Sequence, residues 1–278
     1  MFAFLSKFFL KKGIKLWAPL PLSACKIAKP YLLERANIAS GTVIMIAIPY
    51  FTEDCLRSDR NISCYAVAKD YHLFFQELYD ELLPLLRQRF PQYRFAGFAD
   101  HSPIAEVNAA AQAGLGVVGK NRLLITEPYS SFVFLGTLVT DAVLSCEIQP
   151  VKSCENCGKC VSACPSKDAA PCLSALTQKK GELTESEENT IRYGRSVWGC
   201  DVCQFVCPHT QRALAEKTIF SPIPFFSEDT ISTLTVKKLD EMPDDTFASR
   251  AYSWRGKATV RRNAELLEAT LKKGETDA

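Results

Sequence analysis

Two groups of closely spaced cysteines constrain this chain more than any other feature of its sequence. The first group begins at Cys154 with the spacing Cys-x2-Cys-x2-Cys-x3-Cys-Pro, and the second begins at Cys200 with the spacing Cys-x2-Cys-x3-Cys-Pro. The first spacing is typical of bacterial ferredoxins, in which three neighbouring thiolates bind one [4Fe–4S] cluster and the fourth binds another. A chain of 278 residues needs no disulfide framework to be stable. The sequence therefore predicts two iron–sulfur clusters.

The two motifs contain seven of the 12 cysteines, whereas two cubanes take four thiolates each. By the crossed ligand pattern, the predicted ligands of one cluster are Cys154, Cys157, Cys160 and Cys207. The predicted ligands of the other cluster are Cys164, Cys172, Cys200 and Cys203. Cys172 lies outside both motifs and is chosen because it follows Cys164 closely; Cys146 is the alternative. Structural zinc is the alternative metal for the first motif, since zinc also accepts four thiolates.

The remaining cysteines, Cys25, Cys55 and Cys64, have no partner spacing and are predicted to be small core residues. The chain before the cysteine motifs alternates between strand-like and helix-like patterns. Strands are predicted at residues 42–48, 93–99, 123–125 and 131–139. Helices are predicted over 70–90, where Pro84 favours a kink or early end, and from Ser102-Pro103 to about 113. This alternation predicts an α/β domain, or an α+β sandwich-like one.

Three segments follow from these patterns: an α/β domain over 1–145, a ferredoxin-like double-cluster module over 146–215, and a C-terminal segment over 216–278. A last helix is predicted from about residue 257 to 273. Residues 1–10 are apolar but contain Lys7, and the positive charges follow this stretch instead of preceding it. This order favours an amphipathic helix over a signal peptide. The longest other apolar run, 43–51, is too short to cross a membrane. Thiolate-bound clusters and the weak targeting signal favour a cytoplasmic protein without a membrane partner.

The net charge of +2, from 33 basic and 31 acidic residues, argues against non-specific coating of nucleic acid. One local segment, residues 250–262, is nevertheless basic and contains Tyr252 and Trp254. Basic residues interleaved with aromatic ones are typical of contacts with an RNA loop. A solvated helix face is the alternative. The predicted RNA-binding residues of this segment are Arg255, Lys257, Arg261 and Arg262.

Six short motifs together resemble the epoxyqueuosine reductases. They are DYH at 70–72, FADHSPIAE at 98–106, AGLGVVGKN at 113–121, FLG at 134–136, CLSALT at 172–177 and GCDVC at 199–203. The resemblance extends from about residue 43 to 263 and includes both cysteine groups in the same order.

The resemblance implies an oxidoreductase that reduces an epoxide on a modified tRNA base to an alkene, the last step of queuosine synthesis. It implies a cobalamin in the first domain, fed by two [4Fe–4S] clusters and an external low-potential electron donor, and a tRNA anticodon loop as partner. The lone cysteine of the CLSALT segment supports Cys172 as the eighth thiolate. The residues implied to bind the cofactor are Tyr71, His72, Glu106, Lys120 and Asp201.

Asp100 is the implied proton donor. It ends a predicted strand, where α/β sheets place ligands. The helix predicted to follow favours the ionised carboxylate, so burial against the corrin must favour the protonated form if Asp100 is to donate. A helix-capping role is the alternative. Reducing an epoxide to an alkene consumes two electrons and two protons and releases water, which suits one-electron clusters that feed a cofactor.

Two departures from the family bear on the substrate. Long members continue into a helical-repeat domain after the RRN at 261–263, so the chain is predicted to be a short form. The segment before Tyr71 and His72 is also altered, with Cys64, Ala68 and Lys69. One alternative function is a corrinoid iron–sulfur reductase acting on a small molecule or on another protein's corrinoid. An alternative of another class is a non-catalytic electron carrier.

Overall fold

The computed structural model describes residues 1–166 and 171–276, and the side chains of the last helix as far as residue 270. The chain divides into two compact units, each assembled from three stretches of sequence. The first, here the sheet unit, comprises Met1–Tyr50, His72–Cys157 and Arg212–Ile223. The second, here the helical unit, comprises Phe51–Tyr71, Gly158–Gln211 and Pro224–Ala278. The predicted boundaries at 145 and 215 do not coincide with this division, because the chain passes between the units several times.

The sheet unit is built on four antiparallel strands in the order β1-β2-β6-β3. A separate hairpin is formed by β4 and β5. The strands are β1 (Leu16–Pro21), β2 (Thr42–Pro49), β3 (Phe95–Ala99), β4 (Val117–Val118), β5 (Leu124–Ile125) and β6 (Val133–Thr140). The four predicted strands are present, so a mixed fold of helices and strands is confirmed. Because the sheet is antiparallel throughout, this unit belongs to the α+β class and not to the parallel α/β class.

The sequence patterns missed β1, which contains Pro19 and Pro21. Proline cannot donate to a neighbouring strand and is therefore confined largely to sheet edges. In this sheet β1 lies at the edge, beside β2. The edge position explains how a proline-containing segment forms a strand here.

Four helices accompany the sheet: α1 (Phe2–Lys11), α2 (Pro30–Ala36), α3 (Tyr71–Arg89) and α4 (Glu106–Gln112). The amphipathic first helix is confirmed, since α1 buries Leu5, Phe8 and Phe9. No helix in the described part of the chain is long and apolar enough to cross a membrane.

Two helix predictions are corrected. The expected early end at Pro84 is wrong, because α3 continues to Arg89. Pro84 lies on the exposed side of α3, where water can satisfy the carbonyl that loses its partner. The predicted cap at Ser102 is also wrong, because α4 begins at Glu106 with Ala105 as its N-cap. The Ser102 hydroxyl instead donates to Thr137 Oγ1 at 3.3 Å and accepts from the Ile104 N–H at 3.4 Å.

Helices cover both faces of the sheet. On one face, the alanines of α4 pack against a core that includes Val43, Met45 and Val139. On the other face, the rings of α3 lie over two glycines of the sheet, Phe75 over Gly136 and Tyr79 over Gly97. Burial on both faces explains why β2 reads as an unbroken apolar run.

The helical unit consists of short helices: α5 (Lys159–Ser162), α6 (Leu173–Thr177), α7 (Glu185–Gly194), α8 (Val202–Phe205), α10 (Val236–Glu241), α11 (Asp244–Ala248) and α12 (Lys257–Thr276). Helix α9 (Pro208–Ala215) spans the boundary between the units. Short 3-10 helices occur at Leu22–Ala24, Glu53–Leu56, Cys64–Ala66, Pro224–Phe226 and Ser253–Arg255. The predicted C-terminal helix is confirmed as α12.

A small apolar core joins α6, α7 and α12 within the helical unit, centred on Leu173, Leu176 and Ile191. The buried Asn263 of α12 donates from its side-chain amide to the carbonyl of Thr177 at 2.8 Å and to that of Val197 at 2.9 Å. These two bonds attach α12 to the segments before and after α7.

We predict that Gly136→Ala destabilises the protein by about 1–3 kcal/mol, the usual cost of overpacking a filled core. An added Cβ would lie 2.2 Å from an atom of the Phe75 ring, so α3 must move away from the sheet. Urea denaturation followed by circular dichroism measures the loss. The double variant Gly136→Ala, Phe75→Leu is the control and should recover part of it. An unchanged midpoint for Gly136→Ala would show that α3 does not pack tightly on this strand.

Candidate functional site

Asp100 lies immediately after β3 in the sheet unit and has an exposed side chain. Its backbone adopts the left-handed region, with φ of 60°. Non-glycine residues in this conformation are strained by about 1 kcal/mol or more and persist where neighbouring contacts hold them. The next residue supplies such contacts, since the His101 N–H bonds the Ala99 carbonyl at 2.6 Å.

The His101 ring is held at both nitrogens. Lys29 Nζ lies 2.9 Å from Nδ1, and Tyr31 Oη lies 2.7 Å from Nε2. An ammonium group can only donate, so Nδ1 accepts and the ring proton lies on Nε2, which donates to Tyr31. These bonds tie the turn that carries Asp100 to the start of α2.

Glu106, the first residue of α4, is a second carboxyl beside this turn. Its Oε1 accepts a hydrogen bond from Thr137 Oγ1 of β6 at 2.9 Å. The pKa of Glu106 is raised to about 7: burial and, to a smaller extent, the nearby Asp100 raise it, while hydrogen bonds from Thr137 and Ser102 and the charge of Lys29 lower it. A carboxylic acid with such a pKa is half protonated at neutral pH.

The other residues predicted to bind the cofactor lie in several places. Tyr71 and His72 form the start of α3, and the chain passes from the helical unit to the sheet unit between them. The Lys120 side chain is exposed in the turn that joins β4 to β5. The assignment of these three residues to the cofactor stays a prediction.

The Lys120 turn contacts the first predicted cluster ligand through its backbone. The Lys120 N–H donates to Cys154 Sγ at 3.4 Å, and the Cys154 N–H donates to the Val118 carbonyl at 3.0 Å. Hydrogen bonds to a ligating sulfur stabilise the thiolate and tune a cluster's reduction potential. The β4–β5 hairpin therefore positions Cys154 and presents a donor to its sulfur.

Three predicted ligands of the second cluster come together in the helical unit. The pKa of the Cys200 thiol is raised to about 11, mainly by burial and in smaller part by electrostatic interaction with the neighbouring Asp201, Cys172 and Cys164, while a hydrogen bond from the Val202 backbone lowers it. Cys172 and Cys164 are thus close enough to Cys200 to act on its charge. Cys203, the fourth predicted ligand, lies on α8 three positions after Cys200.

Among the described residues, no three His, Cys, Asp or Glu side chains are arranged to hold a single metal ion. In a cubane each thiolate binds a different iron atom, so its ligands do not converge on one point. The predicted ligands of the first cluster are divided by the unit boundary: Cys154 and Cys157 belong to the sheet unit, Cys160 and Cys207 to the helical unit. That ligand set stays a prediction based on spacing.

Asp201 is buried and has four hydrogen-bond donors within the helical unit. Its Oδ2 accepts from Arg60 Nη1 and from the Cys64 N–H, both at 2.8 Å. Its Oδ1 accepts from Gln204 Nε2 at 3.1 Å and from the Ser63 hydroxyl. These contacts give Asp201 an anchoring role beside Cys200, and its contact with a cofactor stays a prediction.

The cysteines without partner spacing are buried, as predicted. Two of them meet in the folded chain, since the Cys64 thiol hydrogen-bonds the Cys55 sulfur. The Thr52 N–H also donates to Cys55 Sγ at 3.5 Å. Neither spacing nor composition reports this contact, because it joins two separate 3-10 helices.

The basic segment 250–262 differs from the expected RNA-binding surface. Arg250 and Tyr252 are wholly buried, and Arg250 Nη2 pairs with Asp229 Oδ1 at 2.7 Å. Neither side chain is therefore exposed for contact with RNA. Arg261 pairs with Asp240 at 2.9 Å and also with Glu265. The acids that neutralise this segment come from other parts of the chain, which the local sequence window does not include.

The other three basic residues have different surroundings. Arg262 Nη1 donates to the Lys179 carbonyl at 3.0 Å and to the Gly181 carbonyl. Lys257 Nζ donates to the Met242 carbonyl at 3.1 Å. The Arg255 guanidinium lies 3.8 Å from the ring centre of Trp254, which is 58% exposed. The Trp254–Arg255 stack is the part of the segment that presents an aromatic face and a cation to solvent.

The sequence of this chain is similar to those of one family of enzymes. The family model "Epoxyqueuosine reductase QueG, DUF1730" matches residues 36–101, which include Asp100. An epoxyqueuosine reductase of Gloeobacter violaceus is 31% identical over 235 residues, covering 80% of this chain and 71% of the relative. One of Lactococcus garvieae is 33% identical over 205 residues, covering 70% of this chain and 57% of the relative.

The fold has a solved counterpart. A crystal structure of epoxyqueuosine reductase with an epoxyqueuosine-modified tRNA-Tyr stem loop superposes with a TM-score of 0.78 at 25% identity, covering 97% of this chain and 81% of that chain. The chain therefore has the fold of an epoxyqueuosine reductase. It belongs to the epoxyqueuosine reductase family. It spans 55–66% of the length of three of its curated relatives.

We predict that Asp201→Ala lowers the free energy of unfolding by about 3–5 kcal/mol, because it removes the carboxylate that pairs with the half-buried Arg60 and accepts from the buried Cys64 N–H. Anaerobic guanidinium denaturation of the iron-loaded protein measures this loss. Asp59→Ala is the matched control, since Asp59 pairs with Arg57 in an exposed ion pair and its removal should change little. Equal effects of the two variants would contradict the anchoring role of Asp201.

Proposed function

We propose that this protein reduces epoxyqueuosine in tRNA to queuosine, using two [4Fe–4S] clusters and a cobalamin. The observation that carries the proposal is the 31% identity to an epoxyqueuosine reductase of which the chain covers 71%. The structure with an epoxyqueuosine-modified stem loop, which shares this fold, supports tRNA as the substrate class. A protein that acts on tRNA with oxygen-sensitive clusters is expected in the cytoplasm.

The chemistry of the helical unit's thiols fits an iron–sulfur cluster. Cys164, Cys172 and Cys200 are near enough for their charges to interact, and their mutual repulsion as thiolates is unfavourable without a compensating cation. Iron supplies that positive charge. The grouping supports Cys172 as the fourth ligand beside Cys203. The alternative, Cys146, belongs to the sheet unit, where its Sγ lies 3.3 Å from the Leu144 carbonyl oxygen. We propose a ferredoxin-like arrangement for these ligands.

Three polar groups of the sheet unit, besides Asp100, fit the amide-bearing rim of a corrin, which needs both donors and acceptors. His72 and Lys120 are exposed side chains of the sheet unit that can serve as donors, and Glu106 can accept or donate. When bound, cobalamin supplies the two-electron reduction of the epoxide, with electrons from the clusters and an external low-potential donor.

Asp100 has the position of a proton donor. Opening the epoxide to an alkene breaks both carbon–oxygen bonds and releases the oxygen as water, which takes up two protons. An exposed carboxyl on a turn fixed by His101 can reach a bound substrate while its backbone stays in place. Once the substrate covers Asp100, loss of water favours the protonated form that can donate.

The Trp254–Arg255 stack supports a contact with an unpaired base. Bases in RNA loops stack on aromatic rings and guanidinium planes, and both are present together here. Arg261 has two carboxylate neighbours, so its contribution to phosphate binding is smaller than its charge suggests. Within the basic segment, we place the RNA contact at Trp254, Arg255 and Lys257.

Mass spectrometry of nucleosides tests the proposed function. Reduced, cluster- and cobalamin-loaded protein is incubated with epoxyqueuosine-containing tRNA, and queuosine is expected as the product. Asp100→Asn should bind cobalamin and keep its iron yet turn over at least ~100-fold more slowly, the usual effect of losing a general acid. Failure of the fully reduced wild type to form queuosine would contradict the proposal and favour a small-molecule reductase. Normal turnover by Asp100→Asn would limit Asp100 to a structural role.

We also predict that Cys172→Ala loses one cluster and keeps the other, so that the iron content falls to about half, four of eight irons. The remaining cluster should still give its visible absorption and electron paramagnetic resonance signal after anaerobic purification. Cys146→Ala is the matched control and should retain full iron. The reverse result, with iron lost only in Cys146→Ala, would show that Cys146 is the eighth ligand.

A further inference from the structure

The reaction proposed above needs two protons for each epoxide, and Asp100 holds only one. A second carboxyl, Glu106, lies behind it in the sheet unit. Its Oε1 accepts from Thr137 Oγ1 at 2.9 Å. The Ser102 hydroxyl donates to Thr137 Oγ1 at 3.3 Å and is a second hydroxyl partner of Glu106. Ser102 is only two residues from Asp100, and it is buried. Hydroxyl groups therefore connect Glu106 with the turn that carries Asp100.

The charged and titratable groups that face Glu106 come from three elements. Asp100 acts on it from the turn after β3, and Lys29 acts from the segment before α2. Tyr79 of α3 lies across the sheet, with its hydroxyl donating to the carbonyls of Phe98 and Thr137. Burial, and next the charge of Glu106, raise the pKa of Tyr79, so Tyr79 is a neutral neighbour.

Within the described part of the chain, no basic side chain forms an ion pair with Glu106. Lys29 Nζ instead donates to His101. A half-buried carboxylate with only hydroxyl partners is poorly stabilised as an anion, and burial raises its pKa to about 7. By contrast, hydroxyls can donate and accept at once, so they serve both the protonated and the ionised carboxyl. The surroundings therefore suit a group that gains and loses a proton.

We infer that Glu106 stores the second proton of the reaction and passes it to the neighbouring Asp100, an inference that rests on the proposed function. Asp100 first donates its proton to the epoxide oxygen and becomes a carboxylate. Glu106 then gives its proton to Asp100 and becomes a carboxylate that accepts hydrogen bonds from the hydroxyls of Thr137 and Ser102. Asp100 donates again, and the oxygen leaves as water while two electrons from the reductant complete the alkene. Solvent returns one proton each to Glu106 and Asp100 between turnovers.

This transfer depends on a bound substrate. While Asp100 faces water, solvent surrounds its carboxyl and exchanges protons with it directly, so no transfer from Glu106 is needed. A substrate that covers Asp100 removes this solvation and disfavours the ionised form. The stored proton is therefore released toward Asp100 only when an epoxide is present to receive it.

The test compares single-turnover rates of reduced holoenzyme on epoxyqueuosine-containing tRNA between pH 5.5 and 9. The wild-type rate should fall as pH rises through about 7, where Glu106 loses its proton. Glu106→Gln should be slower by roughly tenfold or more at pH 6 and should lack this fall, since an amide stores no proton. Glu34→Gln on the exposed face of α2 is the matched control and should behave as wild type.

The Thr137→Val variant distinguishes a proton-storing role of Glu106 from a purely structural one. It keeps the shape of the side chain but removes the hydroxyl that stabilises the Glu106 carboxylate, so the fall in rate should move to higher pH. A structural role for Glu106 gives no reason for that shift. Iron content and circular dichroism of all variants should match those of the wild type.

Infrared spectroscopy gives a readout without turnover. The carbonyl band of the protonated acid, found as the difference between wild type and Glu106→Gln, should titrate near pH 7 in the absence of tRNA. A midpoint at the ordinary value for glutamate, about 4.3, would overturn the inference whatever the activity. If Glu106→Gln retains the wild-type pH profile, the inference about Glu106 is wrong but the proposed function still stands. If the wild-type protein forms no queuosine, the proposed function is wrong as well.

Discussion

The candidate site depends on the pairing of β6 between β2 and β3. This pairing sets Phe98 opposite Thr137 and Ala99 opposite Gly136. Because side chains alternate across a strand, Thr137 points to the α4 face while Gly136 points to α3. The same register therefore brings Thr137 to Glu106 and makes room for the Phe75 ring on the opposite face. A slip of one residue would exchange these two positions and separate the hydroxyl from the carboxyl.

Two acidic residues of the chain show how surroundings decide what a carboxyl does. Asp201 has a guanidinium, a backbone N–H, an amide and a hydroxyl around it, all of which donate to an anion. Asp201 anchors residues 60–64 beside Cys200. Among the described residues, the hydrogen-bond partners of Glu106 are hydroxyls; they lower its pKa, but burial outweighs them and raises it to about 7. Asp201 suits a structural role, and Glu106 suits a proton that moves.

The basic segment shows the limit of counting charges along a sequence. Residues 250–262 contain no acid, so the local pattern favoured an exposed cationic surface. In the folded chain Asp229 and Asp240 neutralise Arg250 and Arg261. Ion pairs of this kind join residues 21 positions apart, beyond the reach of a local window. The stack of Arg255 on Trp254 remains at the surface of the folded chain. Its two residues are neighbours in sequence, so a local sequence window can report it.

The sequence by itself determined the features that rest on short-range patterns. Cysteine spacing predicted two groups of cluster ligands, and the apolar run at 42–48 and the amphipathic first helix were both correctly recognised, because runs and periodicities of apolar residues report burial directly. Only the tertiary structure decided the antiparallel strand order, the edge strand β1 and the contact of Cys55 with Cys64. Each of these joins residues whose separation along the chain carries no local signal. The raised pKa of Glu106 also depends on the tertiary structure. The groups around this carboxyl come from strand β6 and from the turn after β3, which meet only in the folded sheet.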